Sequence, residues 1–320
     1  MGAGIAAAGF SAVNWMTMSK IAASWVISPV LGGVIAALFL WLIKSRIIYQ
    51  PDKIAAARRW VPILIAIMSG AFASYLALKG IKKIIKIDIQ TAIIIGFLIG
   101  VATWAITKPI IAKQSVGMEN RNKSLKQLFN IPLIVSAALL SFAHGANDVA
   151  NAVGPLAAIV QASSSGEYIT AISIPLWVMV IGAAGISFGL FLFGPKLVRV
   201  VGSQITKLNQ MRAYCVALSA AITVIVASWL GLPVSSTHIA VGSVFGVGFF
   251  REWDSARRMK LAKILSDKNQ LVVAKEERAR RKLVRRSHFM SIIAAWIITV
   301  PSAAVISVSY THLTLPTTMW

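Results

Sequence analysis

One stretch of this 320-residue chain gathers ion-binding side chains inside an otherwise apolar run: Ser141 to Ile159, SFAHGANDVANAVGPLAAI. It sets His144, Asn147, Asp148 and Asn151 within two helical turns, among Gly145, Gly154 and Pro155. A carboxylate at bilayer depth is costly and marks a functional site by default. Asp148 is the sole acid inside an apolar segment; Asp52, Asp88, Glu119 and Glu167 sit at segment ends, and Glu252, Asp254, Asp267, Glu276 and Glu277 share one late loop. No Lys or Arg stands in the interior of the spans, so the expectation is an Asp148 without a basic partner. Such a group either ligates a coupling cation or takes up a proton as desolvation raises its pKa. Asn147 and Asn151 share its face by helical spacing and add carboxamide oxygens, the ligand type that a hard cation such as Na⁺ takes. The same amides suit an oxyanion. His144 reads equally as a packing residue or a proton carrier. Gly145, Gly154 and Pro155 predict a helix broken at this point, offering backbone groups to an ion.

A second polar group lies about ninety residues on. After Gly231-Leu232-Pro233 the chain reads VSSTHIAVGSVFGVGFF from Val234 to Phe250. Ser235, Ser236, Thr237 and His238 stand immediately before an apolar run, the signature of a helix N-terminus. Free N–H groups and the helix dipole make such a terminus an anion seat, and hydroxyls add donors to it. These residues are candidate ligands for an anion that also cap the helix; His238 reads equally as donor or packing residue.

Two such groups need elements to hold them, and the composition says which. Mean hydropathy is +0.76 with 57% hydrophobic residues, and apolar runs near the 20 residues needed to cross a bilayer recur along the chain. The spans read as Ala22–Ile43, kinked at Pro29, then Trp60–Leu78, Ile89–Thr107, the broken Phe129–Val160, Ala171–Phe193, Ala213–Leu230, the short Val234–Phe250 and Ser291–Ser307. Gly182, Gly185 and Gly189 predict close helix contact. This is an all-α membrane protein, a polytopic bundle of about 8 transmembrane or re-entrant segments. The formal charge of +22 comes from 32 basic against 10 acidic residues. The basic residues flank apolar spans, which excludes nucleic-acid binding as their purpose and fits cytoplasmic loops facing anionic lipid. Residues 251–288 carry 13 Lys and Arg against 5 acids and are expected on the cytoplasmic side. A lone Cys215 in an apolar helix excludes a disulfide framework, and Met1 to Phe10 lacks the basic n-region of a cleavable signal.

Internal similarity organises the spans further. Ser24-Trp25-Val26-Ile27-Ser28 before Pro29 matches Ala295-Trp296-Ile297-Ile298-Thr299 before Pro301, and Gly-rich segments ending in Phe (Gly4 to Phe10, Gly242 to Phe250) precede each. Weak internal repeats in a membrane protein imply a duplicated architecture. On this reading 1–128 is the remainder of a first repeat with its connecting helices, and 129–250 is the second-repeat core. A basic loop follows at 251–290, a last helix at 291–308, and a foreign or truncation-derived, non-native tail at 309–320. The first copy's counterparts of both polar motifs would then lie upstream of Met1.

GANDVANAVGP together with GLPVSSTHIAVGS resembles the inorganic phosphate transporter family of secondary carriers, and the likeness extends from Gly2 to about Ile306. The resemblance implies an inverted-repeat carrier with broken helices, and symport of inorganic phosphate with Na⁺ or H⁺ across the cell membrane by alternating access, in a homodimer, with no further cofactor and no catalysis. It assigns the coupling cation to Asp148, Asn147 and Asn151, and phosphate to Asn147, Asn151, Ser235, Ser236 and Thr237, with His144 and His238 as further candidates. Sulfate is the nearer alternative substrate; phosphate is favoured because it can donate a hydrogen bond to an acceptor such as Asp148. A remote alternative is an intramembrane hydrolase, since Ser, His and Asp are all present, although no Gly-x-Ser-x-Gly elbow is.

Overall fold

A computed structural model describes residues 2, 5–6, 9–79, 88–165, 174–200, 208–230, 234–265 and 286–314. These residues are helical almost throughout, with no strand among them. In order the helices are α1 (Trp15–Ile43), α2 (Lys53–Lys79), α3 (Ile89–Gln114), the short α4 (Asn122–Leu128), α5 (Asn130–Ser165), α6 (Leu176–Val200), α7 (Gln210–Trp229), α8 (Ser236–Leu265) and α9 (Arg286–Thr314). Among the described residues, seven segments are long and apolar enough to cross a membrane, one each on α1, α2, α3, α5, α6, α7 and α9. With the short apolar part of α8 they match the eight segments read from the sequence.

The helix starts follow from local side-chain chemistry. Asn14 accepts from the Thr17 amide at 3.0 Å, Asp52 from Ala55 at 2.9 Å, Asp88 from Thr91 at 3.2 Å and Asn209 from Arg212 at 3.1 Å. Each satisfies an amide that the first turn leaves without a helical partner. α1 passes through Pro29 as one helix and ends in a π-helical turn, Lys44–Ile48. Gly117, at φ +72°, reverses the chain after α3 in a conformation that side chains with a Cβ rarely adopt.

The core lies where α1, α7 and α8 meet. Of the most apolar 18 residues of α7, 67% are buried, against 6% in α6 and none in α9, so α7 is central and the other two are peripheral. Tyr214 at the start of α7 is fully buried; its hydroxyl donates to the Leu64 carbonyl of α2 at 2.9 Å and its ring meets Phe129 edge-on. α1 crosses α8 backbone to backbone. A Cβ on Gly242 would strike the Pro29 carbonyl, and one on Gly246 would strike that of Gly33. Small residues allow the closest approach of two helices where no hydrophobic drive distinguishes helix from lipid. Gly70 and Gly96 make the same kind of contact between α2 and α3.

That crossing recurs at the other end of the chain. The Cβ position of Gly2 lies against the Ala304 carbonyl of α9. A shift of 271 residues carries Trp25 onto Trp296 and also Gly33 onto Ala304, while Gly2-Ala3-Gly4 matches Gly246-Val247-Gly248. Gly2 thus lies on the helix that bears Trp296 as Gly246 lies on the helix that bears Trp25.

Several expectations are corrected. α5 is continuous from Asn130 to Ser165, running through Gly145, Gly154 and Pro155. Proline removes one backbone bond, and an apolar surrounding that cannot satisfy freed groups favours keeping the rest of the helix. Of the glycines expected to pack on α6, Gly182 meets Val153 of α5, but among the described residues nothing lies within 4 Å of a Cβ on Gly185 or Gly189. α3 extends to Gln114, so the connection expected at 108–126 is half helix. α9 reaches Thr314, so the first part of the expected tail is helical; residues 315–320 and most of the basic loop, 266–285, lie outside the described residues.

Candidate functional site

The two polar motifs, 88 positions apart in sequence, meet. Ser235 precedes α8 and its hydroxyl accepts from the His238 amide at 3.4 Å, while its carbonyl takes the Ile239 amide at 3.1 Å. This is the helix start that the sequence predicts, and it aims Ser236 at α5. The Ser236 hydroxyl donates to both carboxylate oxygens of Asp148, each at 2.9 Å. Ser236 is fully buried. On the other side of the same carboxylate, His144 Nε2 lies 2.7 Å from Asp148 Oδ2, one helical turn back along α5. Asp148 is thus gripped between an imidazole on its own helix and a hydroxyl on another.

The expectation of an Asp148 without a partner is therefore corrected. Its partner is His144, which the i,i+4 spacing places on its face; a search confined to Lys and Arg passes over it. A hydrogen bond to a charged group contributes about 1.5–3 kcal/mol, enough to hold the carboxylate in one orientation. The wall behind the pair is apolar: Ala143, Ala220, Val224, Ala227, Val234 and Ile239 form one buried cluster. Ala220, Val224 and Ala227 come from α7, so the central helix backs the site.

The remaining candidates lie around this contact. Ser235 and His238 are half-buried in the first turn of α8, and Thr237 is exposed. Asn151 is one turn beyond Asp148 and exposed; among the described residues no hydrogen bond ties it to Ser236 or Asp148. The Asn147 side chain and Pro233 lie outside the described residues. No group of three or more His, Cys, Asp or Glu able to hold a metal occurs among the described residues, so a cation here would rely on Asp148 with neutral oxygens, as an alkali ion does. The order of the three side chains also bears on hydrolysis. In a nucleophile triad the imidazole stands between hydroxyl and carboxylate; here the carboxylate stands between hydroxyl and imidazole.

A model of the phosphate transporter family matches residues 1–307. The chain belongs to that family. It is 44% identical over 357 aligned positions to a Helicobacter pylori protein described as a phosphate permease, covering 96% of this chain and 67% of that one. It is 31% identical to an inorganic phosphate transporter of Arabidopsis thaliana named as chloroplastic, over 97% of this chain and 52% of the relative. The solved structure of a sodium-dependent phosphate transporter superposes with a TM-score of 0.78 at 30% identity, over 98% of this chain and 70% of the other. The chain thus spans between about half and about two thirds of the length of these proteins. It is an all-α, polytopic membrane protein of a phosphate-transporting family.

Proposed function

We propose that this chain carries the substrate and coupling-ion site of a symporter that moves inorganic phosphate with Na⁺ by alternating access. The observation that carries this reading is the Ser236–Asp148 contact, which brings a carboxylate suited to a hard cation against a capped helix start suited to an oxyanion. Asp148, with Asn147 and Asn151, supplies oxygens to the cation. Ser235, Ser236 and Thr237 supply hydroxyls and the α8 amides to the anion, and His144 and His238 flank the pair. Na⁺ is preferred to H⁺ because the superposing transporter is named as sodium-dependent. Assembly of two copies belongs to the same reading.

The orientation also follows. The Lys44–Asp254 contact puts the end of α1 beside that of α8, Arg58 joins the start of α2 to the end of α3 through Ser115, and Phe129 joins the start of α5 to that of α7. Among the described residues, Lys44, Arg46, Lys53, Arg58 and Arg59, the five Lys and Arg of 108–126, Lys196, Arg212, Arg251, Arg257 and Arg258 lie toward this end, against Lys20 and Lys79 at the other. By the positive-inside rule the richer end is cytoplasmic. The test is uptake of radiolabelled phosphate and sulfate into proteoliposomes, with Na⁺ and pH gradients imposed separately. Phosphate uptake driven by an inward Na⁺ gradient is expected. Uptake of sulfate in preference, or uptake driven by a pH gradient alone, would replace the substrate or the ion in this reading.

A further inference from the structure

The Ser236 hydroxyl carries one hydrogen, and it lies between the two oxygens of Asp148 at 2.9 Å from each. That geometry, a buried hydroxyl in the first turn of a 30-residue helix shared by two oxygens of one anion, is also how the helix start would hold a phosphate. A hydrogen given to Asp148 is not available to phosphate, and two anionic groups at one helix start repel each other. We infer that Asp148 and phosphate compete for the Ser236 hydroxyl, and that a cation bound at Asp148 is what hands the hydroxyl over, so that the cation must bind before the anion.

The inference rests on the reading of Asp148 and Ser236 given above and adds the order and its cause. A cation on the carboxylate neutralises it and satisfies its lone pairs, which removes both the rival acceptor and the repulsion. Ser236 then turns its hydrogen to the phosphate with no change in the helix that carries it. His144 stays on its own helix beside Oδ2 and keeps Asp148 within reach of the cation. Coupling of this kind is reciprocal, so the factor by which Na⁺ raises phosphate affinity is the factor by which phosphate raises Na⁺ affinity.

Equilibrium binding of radiolabelled phosphate to the purified 320-residue chain, in Na⁺ and in choline, tests this. For the unmodified chain, affinity is expected to rise at least about tenfold from choline to saturating Na⁺, a coupling typical of linked sites. Asp148→Asn removes the rival and should bind phosphate in choline within about threefold of the sodium-loaded parent, leaving a sodium effect below about twofold. Ser236→Ala removes the contested donor. Its phosphate affinity should be weaker in both salts and should likewise lose its sodium dependence. Plain charge repulsion predicts instead that Ser236→Ala keeps the parent's sodium dependence, and that result overturns the exchange. So does an Asp148→Asn chain that binds phosphate only in Na⁺, or a folded one (parent-like thermal midpoint) that binds in neither salt while the parent binds. An unmodified chain that binds equally in choline and Na⁺ overturns it without any variant. If the unmodified chain binds phosphate in neither salt, the phosphate reading itself fails and the exchange falls with it.

Discussion

At the scale of single residues, the site is three side chains in a row: imidazole, carboxylate, hydroxyl. The carboxylate is the member whose charge the others exist to manage, so its loss should be the most costly. Asp148→Asn is nearly isosteric and keeps a hydrogen-bonding group toward both neighbours, yet it cannot neutralise a cation. Na⁺-driven phosphate accumulation should fall to background in this variant, even where phosphate still binds. Undiminished accumulation with the parental sodium dependence would remove Asp148 from the coupling site. Ser236→Ala and Thr237→Val each delete one donor from the start of α8, and a lost bond to a charged ligand is worth about 1.5–3 kcal/mol, or roughly ten- to a hundredfold in the KM for phosphate. An unchanged KM in both variants, with normal membrane levels, would place the anion elsewhere. Much of this was legible beforehand. The residue types and their order named both motifs, and helical spacing named the face. What sequence could not supply was the distance between motifs, because 88 residues and two intervening helices separate Asp148 from Ser236. Nor did it assign the role of His144, since an imidazole one turn from a carboxylate reads equally well as a packing group until the rotamers are seen.

At the scale of elements, the spans were legible from length and apolarity and the start of α8 from Ser235, but α1 and α2 begin well before their apolar runs, at Trp15 and Lys53, where Asn14 and Asp52 cap them. Glycine was the unreliable sign. The same residue permits a break, a turn or a close crossing, and only the neighbour decides which. Gly145 and Gly154 sit in an unbroken α5 with open space at their Cβ positions, whereas Gly246 lies against the Gly33 backbone. Gly246→Ala should therefore force α1 and α8 apart and cost about 1–3 kcal/mol, as overpacking does. Gly185→Ala, facing open space in α6, should be neutral or gain a few tenths from helix propensity. Thermal midpoints in one detergent compare them, and equal shifts would show that the α1–α8 crossing is not a close one. Further along the same two helices, the end of α1 is pinned to α8 by Asp254, which takes Lys44 Nζ and the Tyr49 hydroxyl at 2.6 Å each, while the Arg258 guanidinium lies over the Tyr49 ring. Burial pushes the Asp254 carboxyl up, but Lys44, Tyr49 and Arg258 together outweigh it and hold the group below the usual carboxylate range. Burial and the neighbouring carboxylate push the Tyr49 phenol up to about 12, so it stays a donor at neutral pH. A depressed carboxyl stabilises the fold above its unfolded pKa, about 4, and loses that contribution as pH falls through the lower folded value. The gap in thermal midpoint between the parent and Asp254→Asn should be constant from neutral pH down to about 5 and close progressively below about 4. A gap that persists undiminished at the acid end would mean that the charge of Asp254 is not what joins α1 to α8.

At the scale of the whole molecule, charge asymmetry decides how the bundle sits in the membrane, and it emerges only once the helix ends are sorted into two faces. Read along the chain, the basic runs at 44–59, 79–86, 108–126 and 196–212 resemble one another. Sorted by the contacts at Asp254, Ser115 and Phe129, the described Lys and Arg of 44–59, 108–126 and 196–212 fall on the same face as Arg251, Arg257 and Arg258, opposite Lys20 and Lys79. The site lies toward the opposite face, since Ser236 opens α8 and Asp254 is in the part of α8 beyond its apolar run. If the basic face is cytoplasmic, the Ser236–Asp148 contact is nearer the outer surface, on the side from which an importer takes phosphate. The chain offers a clean way to check this, because its single cysteine, Cys215, is fully buried. Gln90, in the first turn of α3, and Glu119, just past the Gly117 turn that follows it, are both exposed, so Glu119→Cys and Gln90→Cys report the two faces that α3 connects. In intact cells a membrane-impermeant maleimide should label Gln90→Cys and spare Glu119→Cys, and inside-out vesicles should reverse the pattern. Labelling of Glu119→Cys from outside would invert the molecule, turn the site toward the cytoplasm and leave its basic face unexplained by any rule of insertion.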